Sequence, residues 1–281
     1  MNNLADPICF LFDNGSLRPD STLALRRVAQ RLAELSGVAV TPVSLLHSNR
    51  ITADRLGDKP AVLLEPALEK AAQAGYRNLV ALPLFFGPSG AMVDYLPPRL
   101  DALRSQFPDT NIHLGPSLES EYDDSAQLLA SALRSEITAA AAKHSLPHPA
   151  VIVTDHGSPL PTVTAVRNRI GRELNQLRLP DWVSVTVASM ERREGEEYAF
   201  NDPLLEDALP AAAAAGFREI VVAQQFLFSG RHAGPGGDIT EICKKFTQAS
   251  PDIVVKTTNP IGESDEVMQL LQRRLSQTLS S

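Results

Sequence analysis

The chain has 281 residues, 43% hydrophobic, 21% charged and 5% aromatic. That balance suits about two folded domains and excludes a disordered chain. Net charge is −7, from 26 basic and 33 acidic residues, and there is no Lys/Arg run of the kind that holds nucleic acid. No apolar run approaches the roughly 18 residues that span a bilayer. Residues 1–7 (MNNLADP) have neither a basic start nor an apolar core of a secretory leader. Two cysteines, Cys9 and Cys243, cannot make a disulfide framework. The expectation is a cytoplasmic protein without nucleic-acid or membrane partners.

Taken in chain order, short β-branched runs alternate with helical spacing. Strands are predicted at 8–12, 38–46, 79–86 and 112–114. Helices are predicted at 23–35, 65–74, 93–107 and 125–143. The order then begins again with a strand at 150–154. A helix follows at 162–177, with Val163, Val166, Ile170, Leu174 and Leu177 on one face. Further strands are predicted at 183–190, 219–228 and 253–257. Further helices are predicted at 203–215, 239–248 and 263–279, the first with Asp202 as N-cap and Gly216 past its end.

The second series is a copy of the first. Residues 74–80 read AGYRNLV and residues 215–221 read AGFREIV, an offset of 141. Residues 12–16 (FDNGS) match 154–158 (TDHGS). The pattern is (βα)4 twice, predicting two similar flavodoxin-like α/β lobes with parallel sheets covered by helices. The lobes are placed at 1–146 and 147–281, joined near 145–149. His144 and His148 fall at this junction and are expected to be exposed. His113 reads as a structural residue of a strand, and Cys9 and Cys243 as small core residues.

Ligands of such sheets bind beyond the carboxyl ends of the strands. In the second half, three successive strands run out into Asp155-His156-Gly157-Ser158, Met190-Glu191-Arg192-Arg193 and Phe228-Ser229-Gly230-Arg231-His232. Adjacent strands lie about 4.8 Å apart, so His156, Glu191 and His232 are expected to converge if these strands are neighbours. Two imidazoles and a carboxylate suit a divalent transition metal with coordination positions left open. The same groups also accept protons. Gly234-Pro235-Gly236-Gly237 marks an ordered or mobile loop before the next helix. Asp155, His156 and Ser158 hint at a hydrolase triad. Three residues in one turn adopt that geometry poorly, however, and no Gly-x-Ser-x-Gly elbow is present. No phosphate-cradling loop or GxGxxG turn follows the first strand of either half, so no nucleotide or organic cofactor is expected.

His156-Gly157-Ser158, Glu191 and Gly230-Arg231-His232 before Asp238-Ile239, inside a duplicated frame, resemble the sirohydrochlorin chelatase family in a fused two-domain form. The resemblance spans essentially the whole chain. It implies two lobes facing each other across a cleft, with the tetrapyrrole between them and a divalent metal (Fe2+, Co2+ or Ni2+) as co-substrate. His156, Glu191 and His232 would bind the metal and take the pyrrole protons. Ser158, Arg192, Arg193, Gly230 and Arg231 would line the substrate. The first half places Asn14, His47 and Ala91 at the matching positions, which implies a degenerate lobe. A functional monomer is expected, because the duplication supplies the second lobe. The step from His232 to Ile239 is longer than family members usually have. A tetrapyrrole or metal carrier without turnover is the alternative.

Overall fold

The computed structural model describes residues 6–280. Two four-stranded sheets, all parallel, carry the chain. The first contains β1 (Ile8–Asp13), β2 (Ala39–Ser44), β3 (Asn78–Pro83) and β4 (Asn111–Leu114), in the order β2-β1-β3-β4. The second contains β5 (Ala150–Asp155), β6 (Ser184–Ser189), β7 (Glu219–Gln224) and β8 (Val254–Thr257), in the order β6-β5-β7-β8. The helices of the first repeat are α1 (Pro19–Ser36), α2 (Leu64–Gln73), α3 (Leu96–Gln106) and α4 (Ser125–His144). Those of the second are α5 (Pro161–Gln176), α6 (Leu205–Ala214), α7 (Asp238–Ala249) and α8 (Asp265–Leu279).

Burial explains the sequence pattern. Every residue of β5 is buried, as expected for a central parallel strand covered on both faces. Against the first sheet, Phe12, Val43 and Leu79 of the strands pack with Leu68 of α2 and Leu100 of α3 into one core. Against the second, Ile152, Ala188, Leu205, Leu209, Val222 and Ile239 do the same. α1 and α5 each carry proline in the first turn, where its missing N–H costs nothing. Cys9 and Cys243 are buried free thiols, and burial pushes each up to about 12. They are core residues, as the sequence predicts. His144 ends α4 and, like His148, is exposed. No helix among the described residues is long and apolar enough to cross a membrane.

Besides end shifts of a few residues, such as α1 opening at Pro19 and β3 closing at Pro83, four differences from the sequence reading stand out. β7 stops at Gln224, so residues 225–237 form a loop instead of lengthening the strand. The helix read at 93–107 opens with a π turn, Ala91–Tyr95, and only then becomes α3. Pro97 and Pro98 explain this, since neither can donate the N–H that an α-helix would need there. Asp202 is not a helix cap. It follows a 3-10 turn, Glu196–Asn201, and α6 starts after Leu204.

The fourth concerns the lobes. The chain forms two compact units: residues up to Ser120 with those from Val267, and Glu121–Glu266. The repeats of 1–146 and 147–281 therefore exchange their last helices. α4 packs on α5 and β7 of the second sheet. α8 belongs to the first unit, where Arg274 is 2% exposed and donates to the carbonyls of Ser117 (2.9 Å) and Leu118 (2.7 Å). Both helices are apolar on one face, and nothing in that local pattern says which sheet receives it.

Candidate active site

β5 lies between β6 and β7, so the condition for convergence is met. His156 follows the last residue of β5, and Glu191 lies two residues past β6. The strands continue to hold each other beyond their ends. Met190 N–H donates to the Asp155 carbonyl at 2.8 Å, and Glu191 N–H to the His156 carbonyl at 3.1 Å. This sets His156 Nε2 3.4 Å from Glu191 Oε1. Gly157 makes the approach possible. Its φ is +89°, and a Cβ there would sit 1.9 Å from the Glu191 carbonyl oxygen.

His232 arrives from the loop after β7. Its ring centroid is 4.6 Å from that of His156, edge to face. The loop is built rather than loose. Gln224 Oε1 accepts from Gly234 N–H at 2.8 Å, and Gly230 N–H donates to the Ala233 carbonyl at 2.9 Å. The first amides of α7 close it, Asp238 to the Arg231 carbonyl and Ile239 to the His232 carbonyl, both at 3.1 Å. His232 Nδ1 lies 2.7 Å from Asp238 Oδ2.

Beneath the turn at His156 is a buried polar network. Ser189 Oγ donates to Asp155 Oδ1 at 2.7 Å, and Gly157 N–H donates to the same oxygen at 3.2 Å. The Arg167 guanidinium, 1% exposed, stands 3.7 Å from it. Burial pushes the Asp155 carboxyl up, while Arg167 and these hydrogen bonds pull it down. Arg167 also donates to the Asn201 carbonyl at 3.0 Å, and the Asn201 side chain clamps the backbone of Ser158 on both sides. Ser158 Oγ accepts from Leu160 N–H at 3.0 Å, and His156 Nδ1 contacts the Gly157 carbonyl at 3.0 Å. Asp155 and Ser158 are thus occupied by the framework, and the two do not form a triad with His156.

The arginines fall into two groups. Arg192 is held by Asp202 at 2.9 Å and by the Gly195 carbonyl at 2.8 Å. Arg193 lies 5.8 Å from the Tyr198 ring centroid, and Arg231 is 80% exposed with Nε 3.8 Å from Asp238. Asn201, Gln224 and Arg167 have no mark in the sequence, and Asp238 enters it only as part of the motif after His232, with no role of its own. Asp238 carried one available signal, an acid opening the helix directly after the His232 loop.

In the first unit the register corrects one match. Leu46 N–H donates to the Asn14 carbonyl, as Glu191 does to His156. A Cβ on Gly15 would strike the Leu46 oxygen, as one on Gly157 would strike that of Glu191. The counterpart of Glu191 is therefore Leu46, and His47 lies one residue beyond. The first unit offers Asn14 and Leu46 where the second offers His156 and Glu191, and Ala91 stands eight residues past β3 as His232 stands eight past β7. Among the described residues, no group of three or more His, Cys, Asp or Glu is disposed to hold a metal ion as it stands.

A family model described as CbiX matches residues 9–138 and again 150–278. No curated protein matches the chain significantly. Among solved structures, SirB from Bacillus subtilis with Fe3+ has a TM-score of 0.70 at 14% identity, over 98% of this chain and 95% of that one. The sirohydrochlorin chelatase SirB from Bacillus subtilis subspecies spizizenii, in complex with cobalt, has a TM-score of 0.67 at 13% identity, over 98% and 96%. CbiX, described as the terminal enzyme for biosynthesis of siroheme in denitrifying bacteria, has 0.59 at 16% identity, over 97% and 98%. At these identities the likeness shows the fold.

Proposed function

This chain belongs to the CbiX family, and we propose that it is a metal chelatase that inserts a divalent ion, Fe2+ or Co2+, into sirohydrochlorin or a related tetrapyrrole. The observation that carries the reading is the meeting of His156, Glu191 and His232 at one sheet edge, 3.4 Å between the first two and 4.6 Å between the imidazole rings. The relatives' structures with Fe3+ and with cobalt support it.

Insertion exchanges two pyrrole N–H protons for one divalent ion. The site therefore needs groups that hand over a metal and groups that accept protons. A carbonyl oxygen only accepts, so the His156 Nδ1 contact with Gly157 places a hydrogen on Nδ1; Nε2 faces the Glu191 carboxylate, which also only accepts, so the place between them suits an ion or a proton. His156 and His232 present the ion and accept protons, and Glu191 supplies the compensating negative charge. Loosely placed ligands suit an ion that must pass on to four ring nitrogens, because a closed site would retain it. Exposed Arg193 and Arg231 are placed to pair with peripheral carboxylates of the macrocycle. Arg192 is engaged by Asp202 and has less freedom for that role.

The test is multiple turnover. Purified protein is mixed with excess sirohydrochlorin and Co2+, Fe2+ or Ni2+, and loss of free macrocycle is followed by absorbance. Many equivalents consumed per chain support the reading. Consumption that stops at one equivalent identifies a carrier and overturns it.

A further inference from the structure

We infer that Asp238 is a positioning residue that fixes the tautomer and ring orientation of His232, so that the Nε2 lone pair is the one offered to the incoming ion. This rests on the chelatase reading and deepens it. A carboxylate can only accept, so the 2.7 Å contact places the hydrogen on His232 Nδ1. The neutral ring is then left with its lone pair on Nε2. The carboxylate is itself held from two directions. It opens α7, where the helix N-terminus favours negative charge, and Arg231 Nε lies 3.8 Å away. Because Asp238 and Ile239 N–H groups also bond back to Arg231 and His232, one helix end sets both the backbone and the ring of His232. The partner chemistry matches that at His156, where a carbonyl replaces the carboxylate. Both imidazoles thereby show the same nitrogen. Carboxylate partners of this kind typically contribute 10–100-fold in metal affinity.

The competing role is purely structural, a favourable acid in the first turn of α7. Three variants separate the two, Asp238→Ala, Asp238→Asn and His232→Ala, and a fourth, His156→Ala, tests the site itself. The first readout needs no metal. Long-range 1H–15N spectra of the metal-free protein report which ring nitrogen of His232 carries hydrogen. The wild type should show Nδ1–H. Asp238→Ala should lose that preference, and Asp238→Asn, which keeps an acceptor oxygen, should retain it. The second readout is Co2+ affinity by titration calorimetry. Asp238→Ala should weaken it roughly 10–100-fold, Asp238→Asn should recover most of the loss, and thermal unfolding should stay close to wild type. An unchanged tautomer in Asp238→Ala overturns the inference. So does wild-type Co2+ affinity in Asp238→Ala alongside a loss in His232→Ala. If both His232→Ala and His156→Ala bind Co2+ as wild type does, the chelatase reading fails instead, and the spectra alone decide the role of Asp238.

Discussion

Asp13 and Asp155 occupy the same place in two copies of one repeat and meet different neighbours. Each ends the central strand of its sheet, opposite a serine, Ser44 or Ser189. Counting from the proline that opens each following helix, Arg167 of α5 corresponds to Leu25 of α1. Asp155 has its guanidinium, whereas Asp13 has none and leaves Oδ1 buried without a hydrogen-bond partner. Burial raises Asp13 from 3.8 to about 6, against hydrogen bonds from Ser44 and Gly15 that pull it down. The folded value lies above the unfolded one, so its contribution to stability is present below pH 3.8 and lost as pH rises through about 6. At pH 7 the cost reaches up to about 3 kcal/mol. Asp13→Asn should therefore unfold at higher temperature than wild type at pH 7, with the gap closing toward pH 4. Calorimetric melting curves that run parallel across that range would contradict this. The converse holds for Arg167→Leu, which strands a buried carboxylate. It should cost about 3–5 kcal/mol in urea unfolding, and a loss below about 1 kcal/mol would show that the pair is not needed.

Turns, together with the first residues of α7, place the reactive groups. Gly157 is required twice, by its φ of +89° and by the Glu191 carbonyl that leaves no room for a Cβ. Gly216 has a similar φ, +93°, but open space around it. Gly157→Ala should thus destabilise by more than Gly216→Ala, which pays only the backbone strain of about 1 kcal/mol. It should also push Glu191 away from His156 and lower chelation while Gly216→Ala leaves it near wild type. Equal effects of the two variants on both stability and turnover would remove the contact from the account. This level of structure was partly legible in the sequence. Glycines and strand ends are local signals, so His156, Glu191 and His232 stood out. The one-residue difference between Leu46 and His47 did not, because register is set by pairing with a distant strand. Asp238 was visible as a helix-opening acid, but its contact with His232 depends on how the loop folds back through Gln224.

At the scale of the whole molecule, the repeat and the compact unit are different objects. The alternation of strands and helices gave the order of the eight strands and eight α-helices of the described residues, and the repeat of residues 74–80 at 215–221 gave the duplication. The exchange of α4 and α8 was not readable, since an amphipathic face names no partner. Cutting the chain at 146/147 leaves one unit without α8 and the other without α4. Neither fragment should fold alone, by circular dichroism and cooperative unfolding, and the two together should assemble. Two independently stable fragments would contradict the unit boundaries. A functional monomer, as the duplication leads one to expect, predicts in addition that specific activity is constant on dilution.

The proposed chemistry resides in one repeat, the second. The most direct measurement compares steady-state rates of Co2+ insertion into sirohydrochlorin for His156→Ala/His232→Ala and for Asn14→Ala, each checked for folding. The first should lose most turnover, and the second should stay near wild type. Equal loss in both variants, or full activity without the two histidines, would contradict it.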